Sequence, residues 1–229
     1  MDLFRFEPLA DPKTLVLSGG SPITGYTSAM WVERYRDAGE FRIFAPLSSG
    51  LSDFLPPGSL ISHVDTLDVM IVEDQQVRAE RGEDPTIEIT GRSFPTWLDN
   101  RIAGLSGPVD WGLVNYRGDY VLAAGYIAAQ VRTMILSHMQ PASVWDTTDQ
   151  LANLSIVNLA PNSGTSSARS VSYGGVYTRA VELLALEDFG LRMARPGFAI
   201  LGIGPYSNPA ILIHDGTDRT DVVTFSWRS

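Results

Sequence analysis

The sequence predicts an α+β fold: a strand-rich, antiparallel, barrel-like front, a helix-containing middle and a short β tail. Three observations predict it. Strand-type segments rich in β-branched, aromatic and aliphatic residues, with Gly or Pro between several of them, crowd the first hundred residues and return in the last thirty. Two segments of helical length lie between them. Strands, then helices, then strands is an α+β order, whereas an α/β chain alternates. The expected division is an antiparallel β-domain over 1–103 and an α+β domain over 104–229, with helices near 120–139 and 178–189.

In the front part, Thr14–Leu17, Ala29–Tyr35, Glu40–Ala45, Ser59–His63, Asp68–Glu73, Gln75–Ala79 and Thr86–Thr90 read as strands. Arg36-Asp-Ala-Gly39 fits a hairpin loop, and Pro56-Pro57-Gly58 a turn. Glu80–Pro85 (ERGEDP) is a charged loop tip. In Gly91–Ile102 (GRSFPTWLDNRI), Ser93 suits a helix cap and Pro95 a first helical turn. Leu98 and Ile102 lie four apart, so a short helix packed on the sheet is expected.

The segment Tyr120–Met139 (YVLAAGYIAAQVRTMILSHM) has the length of a membrane span. Tyr126, Gln130, Thr133 and Ser137 nevertheless form a polar stripe at helical spacing, and Arg132 would sit near mid-span. A buried amphipathic helix with no membrane insertion is expected, with Arg132 reaching an interface carboxylate. Asn158–Ser170 reads as a loop. Thr178–Phe189 reads as a second helix stopped by Gly190. Phe198–Ile203, Ala210–His214 and Asp221–Phe225 complete the β tail.

The chain has 229 residues, enough for one large domain or two small ones. At that size roughly 70–75% of the unfolded surface can be buried, so a core forms without covalent staples. The absence of cysteine excludes disulfide scaffolds, thiolate metal sites and cysteine nucleophiles. A net charge of −9 opposes general nucleic-acid binding, which needs clustered cations against phosphate. Residues 1–103 carry 16 acids and 9 bases, and residues 181–229 carry 6 and 4. Residues 104–180 hold only 8 charged side chains and sum to zero. So neutral a middle is expected to hold the helix packing and most subunit contacts, where charge is depleted. Exposed surface is expected mainly on the acidic front. Sixteen arginines against the single Lys13 suit bidentate ion pairs between subunits, and a GC-rich genome explains the bias equally well.

Motifs for chemistry are missing. There is no G-x-S-x-G, HExxH, Walker A or GxGxxG. His63, His138 and His214 lack ligand-like spacing and read as surface or packed residues. The carboxylate pairs Asp65/Asp68 and Glu187/Asp188 are of a kind that frequent acids produce by chance. Ile211–Thr217 (ILIHDGT) is similar to an aspartyl-phosphatase motif, but Ile213 occupies the nucleophile position. Asp215-Gly-Thr-Asp218 lacks the alternating ligands of a calcium loop. No catalytic, cofactor-binding or metal-ligating residue is assigned, and no enzyme is expected.

Three segments taken in series resemble a family of minor tail or baseplate-hub proteins of long-tailed, siphovirus-type bacteriophages of actinobacteria. Trp31–Pro46 (WVERYRDAGEFRIFAP) is similar to the family's opening strand, R-Y-R-x-x-G-x-F turn and second strand. Ile87–Ile102 (IEITGRSFPTWLDNRI) resembles its strand, Gly-Arg-Ser and helix ending in Arg-Ile. Gly216–Ser226 (GTDRTDVVTFS) resembles its G-x-D-R-T stretch leading to Phe-Ser.

The resemblance implies a tail-hub-like fold and a structural virion protein joining the tail tube to the tip. It implies a homotrimer with barrel domains in a pseudo-sixfold ring, and no catalytic residues. Expected partners are further copies of itself, the neighbouring tail-tube, distal-tail and tip proteins, and DNA that passes without specific binding. Its place is the virion tail tip or baseplate, and the host cytoplasm during assembly. Family members usually continue past the Phe-Ser, whereas this chain stops at Trp227-Arg-Ser229. A fragment, a split gene or a shorter relative is therefore expected. The alternatives are a receptor- or carbohydrate-binding tail-tip module, for which Trp111 and Trp145 would serve, and a tail-associated cell-wall hydrolase.

Overall fold

A computed structural model describes residues 2–6, 20–66, 68–79, 82–100, 102–103, 119–139, 155–159, 162–195, 210–214 and 222–227. The front strands follow from their apolar alternation. β1 is Leu3–Phe6, β2 Ser21–Pro22, β3 Ser28–Glu33, β4 Glu40–Pro46, β5 Leu60–His63, β6 Val69–Arg78 and β7 Thr86–Ser93. A four-residue helix α1, Leu51–Phe54, lies between β4 and β5. With β15, Val222–Trp227, these strands make one eight-stranded antiparallel sheet in the order β15-β3-β4-β7-β6-β5-β1-β2. The end of the chain thus completes the front sheet: Val222 pairs with Glu33 and Trp227 with Ser28.

Alternation along β5 and β6 supplies two cores at once, because successive side chains leave opposite faces of a strand. Ile61, Met70 and Val72 join Leu3, Trp31, Phe41, Ile43, Ile87 and Ile89 on one face. Leu60, Val69 and Ile71 meet the helices on the other. The sheet is strongly curled around the first core. β3 and β5 are four places apart, ~19 Å in a flat sheet, yet the Trp31 and His63 rings are 6.3 Å apart. This curl is the barrel-like character expected of the front.

The hairpin at Arg36–Gly39 forms between β3 and β4 as expected. A Cβ on Gly39 would lie 2.4 Å from the Val32 carbonyl oxygen, so only glycine lets the two strands close there. The segments Asp68–Glu73 and Gln75–Ala79, expected as two strands, are one. β6 runs unbroken along β7, and a bulge between Val72 and Asp74 absorbs the extra residue.

After β7 the chain makes a 3-10 helix over Phe94–Asn100, then β8, Ile102–Ala103. Ser93 does not cap it. Its Oγ accepts the Gly39 N–H at 2.8 Å, and Thr96 Oγ1 donates to the Ser93 carbonyl instead.

The expected helix at 120–139 is split. Tyr120–Gly125 is β9, paired with β11, Ser167–Val171, and α2 occupies only Ile127–Met139. Hydropathy runs evenly through both, but Gly125 interrupts the helix and β11 offers the preceding residues a ladder. That same pairing makes a strand of part of the expected loop at 158–170. β10, Ser155–Asn158, lies before it. After β12, Gly174–Gly175, comes α3, Val176–Ala185. The helix ends at Ala185, short of the expected Phe189, and a turn through Asp188, which adopts φ 65°, leads to Gly190, which already begins β13, Gly190–Ala194. β14 is Ala210–His214, and β10-β14-β13 form a second sheet.

α2 and α3 pack together, with Ile127, Val131, Met134 and Ile135 against Val176, Ala180 and Leu184 in the second core. Among the described residues no helix is long and apolar enough to cross a membrane. The expected strands at 14–17 and 198–203 fall outside the described residues, as do Lys13, Trp111, Trp145 and Asp215–Asp218.

Candidate functional site

Two groups of charged residues carry more than ordinary surface chemistry. The first is buried where the curled sheet meets β13. Glu33 is the last residue of β3, on the inward face with Trp31, and accepts the indole N–H at 2.9 Å. Arg192, at the middle of β13, donates from Nη2 to Glu33 Oε2 at 3.2 Å, and its Nε lies 3.4 Å from Asp68 Oδ1. Asp68 is held by backbone on both sides: it bridges Ala194, and its carbonyl accepts the Ser62 hydroxyl. One guanidinium therefore serves two carboxylates.

Burial dominates at Asp68, pushing its carboxyl up to about 7 despite Arg192, with Glu33 adding in the same direction. His63 stands on the inward face beside Trp31. Burial holds its imidazole below the usual value, with Asp65 opposing. The Asp65 N–H donates to His63 Nδ1 at 3.3 Å, which leaves the proton of the neutral ring on Nε2. A buried acid whose carboxyl is pushed up toward neutrality is a feature also found in acid–base catalysts. Here Asp68, His63 and Glu33 are all at or below 5% exposed. The arrangement clamps β3, the start of β6 and β13 together.

The second group lies on the outer face of β4, β7 and β6. Arg42, Arg78, Arg92, Glu40, Glu73, Glu88, Gln76 and Thr90 line a groove of about 390 Å³. Glu73 accepts a bidentate pair of bonds from Arg92, both at 2.8 Å. Arg34 pairs with Glu40 at 2.7 Å. Glu88 differs: it is 6% exposed and faces two arginines. Arg78 bonds Oε2, and Arg42 lies 3.7 Å from Oε1.

Of the residues singled out by sequence, His63 and Asp68 lie in the first group and the other described ones fall elsewhere. His138 is buried on α2 with Nδ1 2.6 Å from the Met134 carbonyl oxygen, and His214 meets the Tyr35 ring edge-on at 5.1 Å. The paired acids separate: Asp65 is exposed and Asp68 buried, while Glu187 takes Thr165 N–H and Arg169, and Asp188 takes Arg36. Arg132 donates to the Ile156 carbonyl at 3.2 Å. Among the described residues no group of three or more His, Asp or Glu is placed to hold a metal.

Missed by sequence reading were Glu33, Arg192 and the Arg42–Glu88–Arg78 group, while Asp68 was noted only as half of a chance pair with Asp65. The available signal was an acid inside an apolar strand, as in Trp-Val-Glu33 and Ile-Glu88-Ile. Expected exposure of the front acids is thus corrected for Glu33, Asp68 and Glu88, whose arginine partners neutralise them inside the chain.

A family model described as Siphovirus ReqiPepy6 Gp37-like protein matches residues 14–226. No curated protein matches the chain significantly. Among solved structures, the prophage tail protein gp18 from Listeria monocytogenes EGD-e is similar, at 11% identity and TM-score 0.51, over 93% of this chain and 50% of that one. The tail protein from Neisseria meningitidis MC58 aligns at 12% identity and TM-score 0.49, over 92% and 49%. The chain spans about half the length of both.

Proposed function

The chain belongs to the Siphovirus ReqiPepy6 Gp37-like family, and from that footing we propose that it is a non-enzymatic structural component of the phage tail, acting at the hub or baseplate that joins tube to tip. The observation that carries this reading is the family match across residues 14–226, on a chain whose curled eight-stranded sheet belongs to a fold shared with a prophage tail protein. The charged residues support it: the buried ions serve packing, and the one described groove is lined by paired arginines and acids.

In this reading the protein works as a homotrimer in the virion, contacting tail-tube, distal-tail and tip proteins. DNA passes it without being gripped, consistent with the net charge of −9. The test is to locate it in purified particles by labelled-antibody electron microscopy and to count copies by quantitative mass spectrometry. A position at the tube end with about three copies supports a hub. Several hundred copies along the shaft would make it a tube protein, and absence from particles would remove the virion role.

A further inference from the structure

The sheet formed by β4, β7 and β6 carries both halves of a contact that it cannot make with itself. On its outer face Arg42 of β4 and Arg78 of β6 are 51% and 62% exposed, and both converge on the one buried carboxylate of Glu88 on β7. The other acids of the groove are matched one to one, Glu73 with Arg92 in the groove and Glu40 with Arg34 beside it. Two guanidiniums thus share a single negative charge. This leaves one uncompensated positive charge and unused N–H donors at the groove, on a chain that is otherwise strongly acidic.

At the tip of the β6–β7 hairpin Glu83 and Asp84 are adjacent and exposed. They lie past Thr86, the residue paired with Arg78, and the Pro85 carbonyl is held by the Leu47 N–H at 2.8 Å. That bond carries the β4–β7 ladder one residue past Thr86, so Glu83 and Asp84 follow from beyond the end of the paired strands.

We propose that the Glu83-Asp84 turn of one copy docks in the Arg42–Arg78 groove of the next. The two surfaces differ, so the contact is heterologous. Repetition of such a contact around an axis closes a ring. Charge complementarity selects the occupant: paired carboxylates against a carboxylate-deficient pair of arginines, whose planar forks accept carboxylates bidentately. The inference rests on the reading of the protein as a self-assembling tail component, and it names the surfaces by which copies meet.

The test compares wild type with R42Q/R78Q, with E83Q/D84N and with all four changes together, by light scattering across a concentration series at low and high salt. Expected is a wild-type oligomer that weakens with salt. Either pair of substitutions raises its dissociation constant about tenfold or more, and the fourfold variant is no worse than either pair, because both pairs remove one contact. E83Q/D84N lies on an exposed turn, so its result stands even if the groove variant fails to fold. A wild-type monomer throughout the series overturns the proposal, as does an oligomer indifferent to E83Q/D84N. Sensitivity to R42Q/R78Q alone also overturns it, and assigns the groove to a different carboxylate of the neighbouring copy. An indifferent oligomer leaves the tail assignment standing, whereas absence of the protein from particles removes that assignment and not this contact.

Discussion

The Tyr35 hydroxyl donates to the Asp188 backbone carbonyl at 2.5 Å, joining residues 153 apart in the chain. Tyr35 belongs to the loop after β3, and Asp188 is the left-handed residue of the turn after α3. The bond pins the front sheet to the turn that launches β13. Tyr35→Phe keeps the ring contact with His214 and removes only the donor. The expected loss is about 1–2 kcal/mol in urea unfolding. An unchanged midpoint would show that the turn is held by other bonds.

Asp68 and His63 give opposite dependences on pH. Asp68 has a raised folded pKa, so its contribution is fully present below its unfolded value near 4 and is lost as pH rises through about 7. His63 has a lowered folded pKa, so its contribution is present above about 6.5 and is lost as pH falls through the folded value. In Asp68→Asn stability should therefore rise from pH 5 to 7, and in His63→Gln it should fall from pH 4 to 7. Denaturant midpoints at four pH values check both signs; identical profiles for the two variants would contradict the assignment.

Removing the shared cation is costlier than removing either anion's proton. Arg192→Met leaves Glu33 and Asp68 buried with no positive partner, a change expected to cost on the order of 3–5 kcal/mol. The loss should shrink as pH falls through about 7 and Asp68 protonates. Thermal unfolding of wild type and variant at pH 5 and pH 8 measures the difference.

The start of α3 is capped from a distance. Asp99 Oδ1 accepts the Thr178 N–H at 3.0 Å and Oδ2 the Thr178 hydroxyl at 2.9 Å. A Cβ on Gly175 would stand 2.0 Å from Asp99 Oδ1, so the glycine makes room for the carboxylate. Asp99→Ala should cost about 1 kcal/mol. Gly175→Ala should cost at least as much by displacing the same group, and the double variant should cost less than the sum. Additive losses would separate the two effects.

Where neighbours in sequence decide the structure, the sequence was a good guide. β3, β4 and the turn between them follow from alternation and Gly39, and α3 from its apolar spacing. Tyr120–Gly125 misled because a helix and a strand can share one apolar run, and the arbiter, β11, lies more than forty residues away. Ser93 misled because its hydroxyl meets Gly39 across the sheet. Asp99 capping α3, and Arg192 joining Glu33 to Asp68, are equally non-local. They become visible only once the topology is known. The Arg42–Glu88–Arg78 group had a legible half: an acid between two isoleucines in a strand signals a charge that needs a partner.

The pairing of β15 with β3 also bears on how the protein is made. The ribosome delivers β3 and β4 well before β15, so the growing chain carries the free hydrogen-bonding edge of β3 until β15 is made. Such an edge invites mispairing with other nascent chains until residues 222–227 arrive to cover it. Completion of this sheet should therefore wait until those residues have emerged and proceed slowly, in keeping with contacts so distant in sequence.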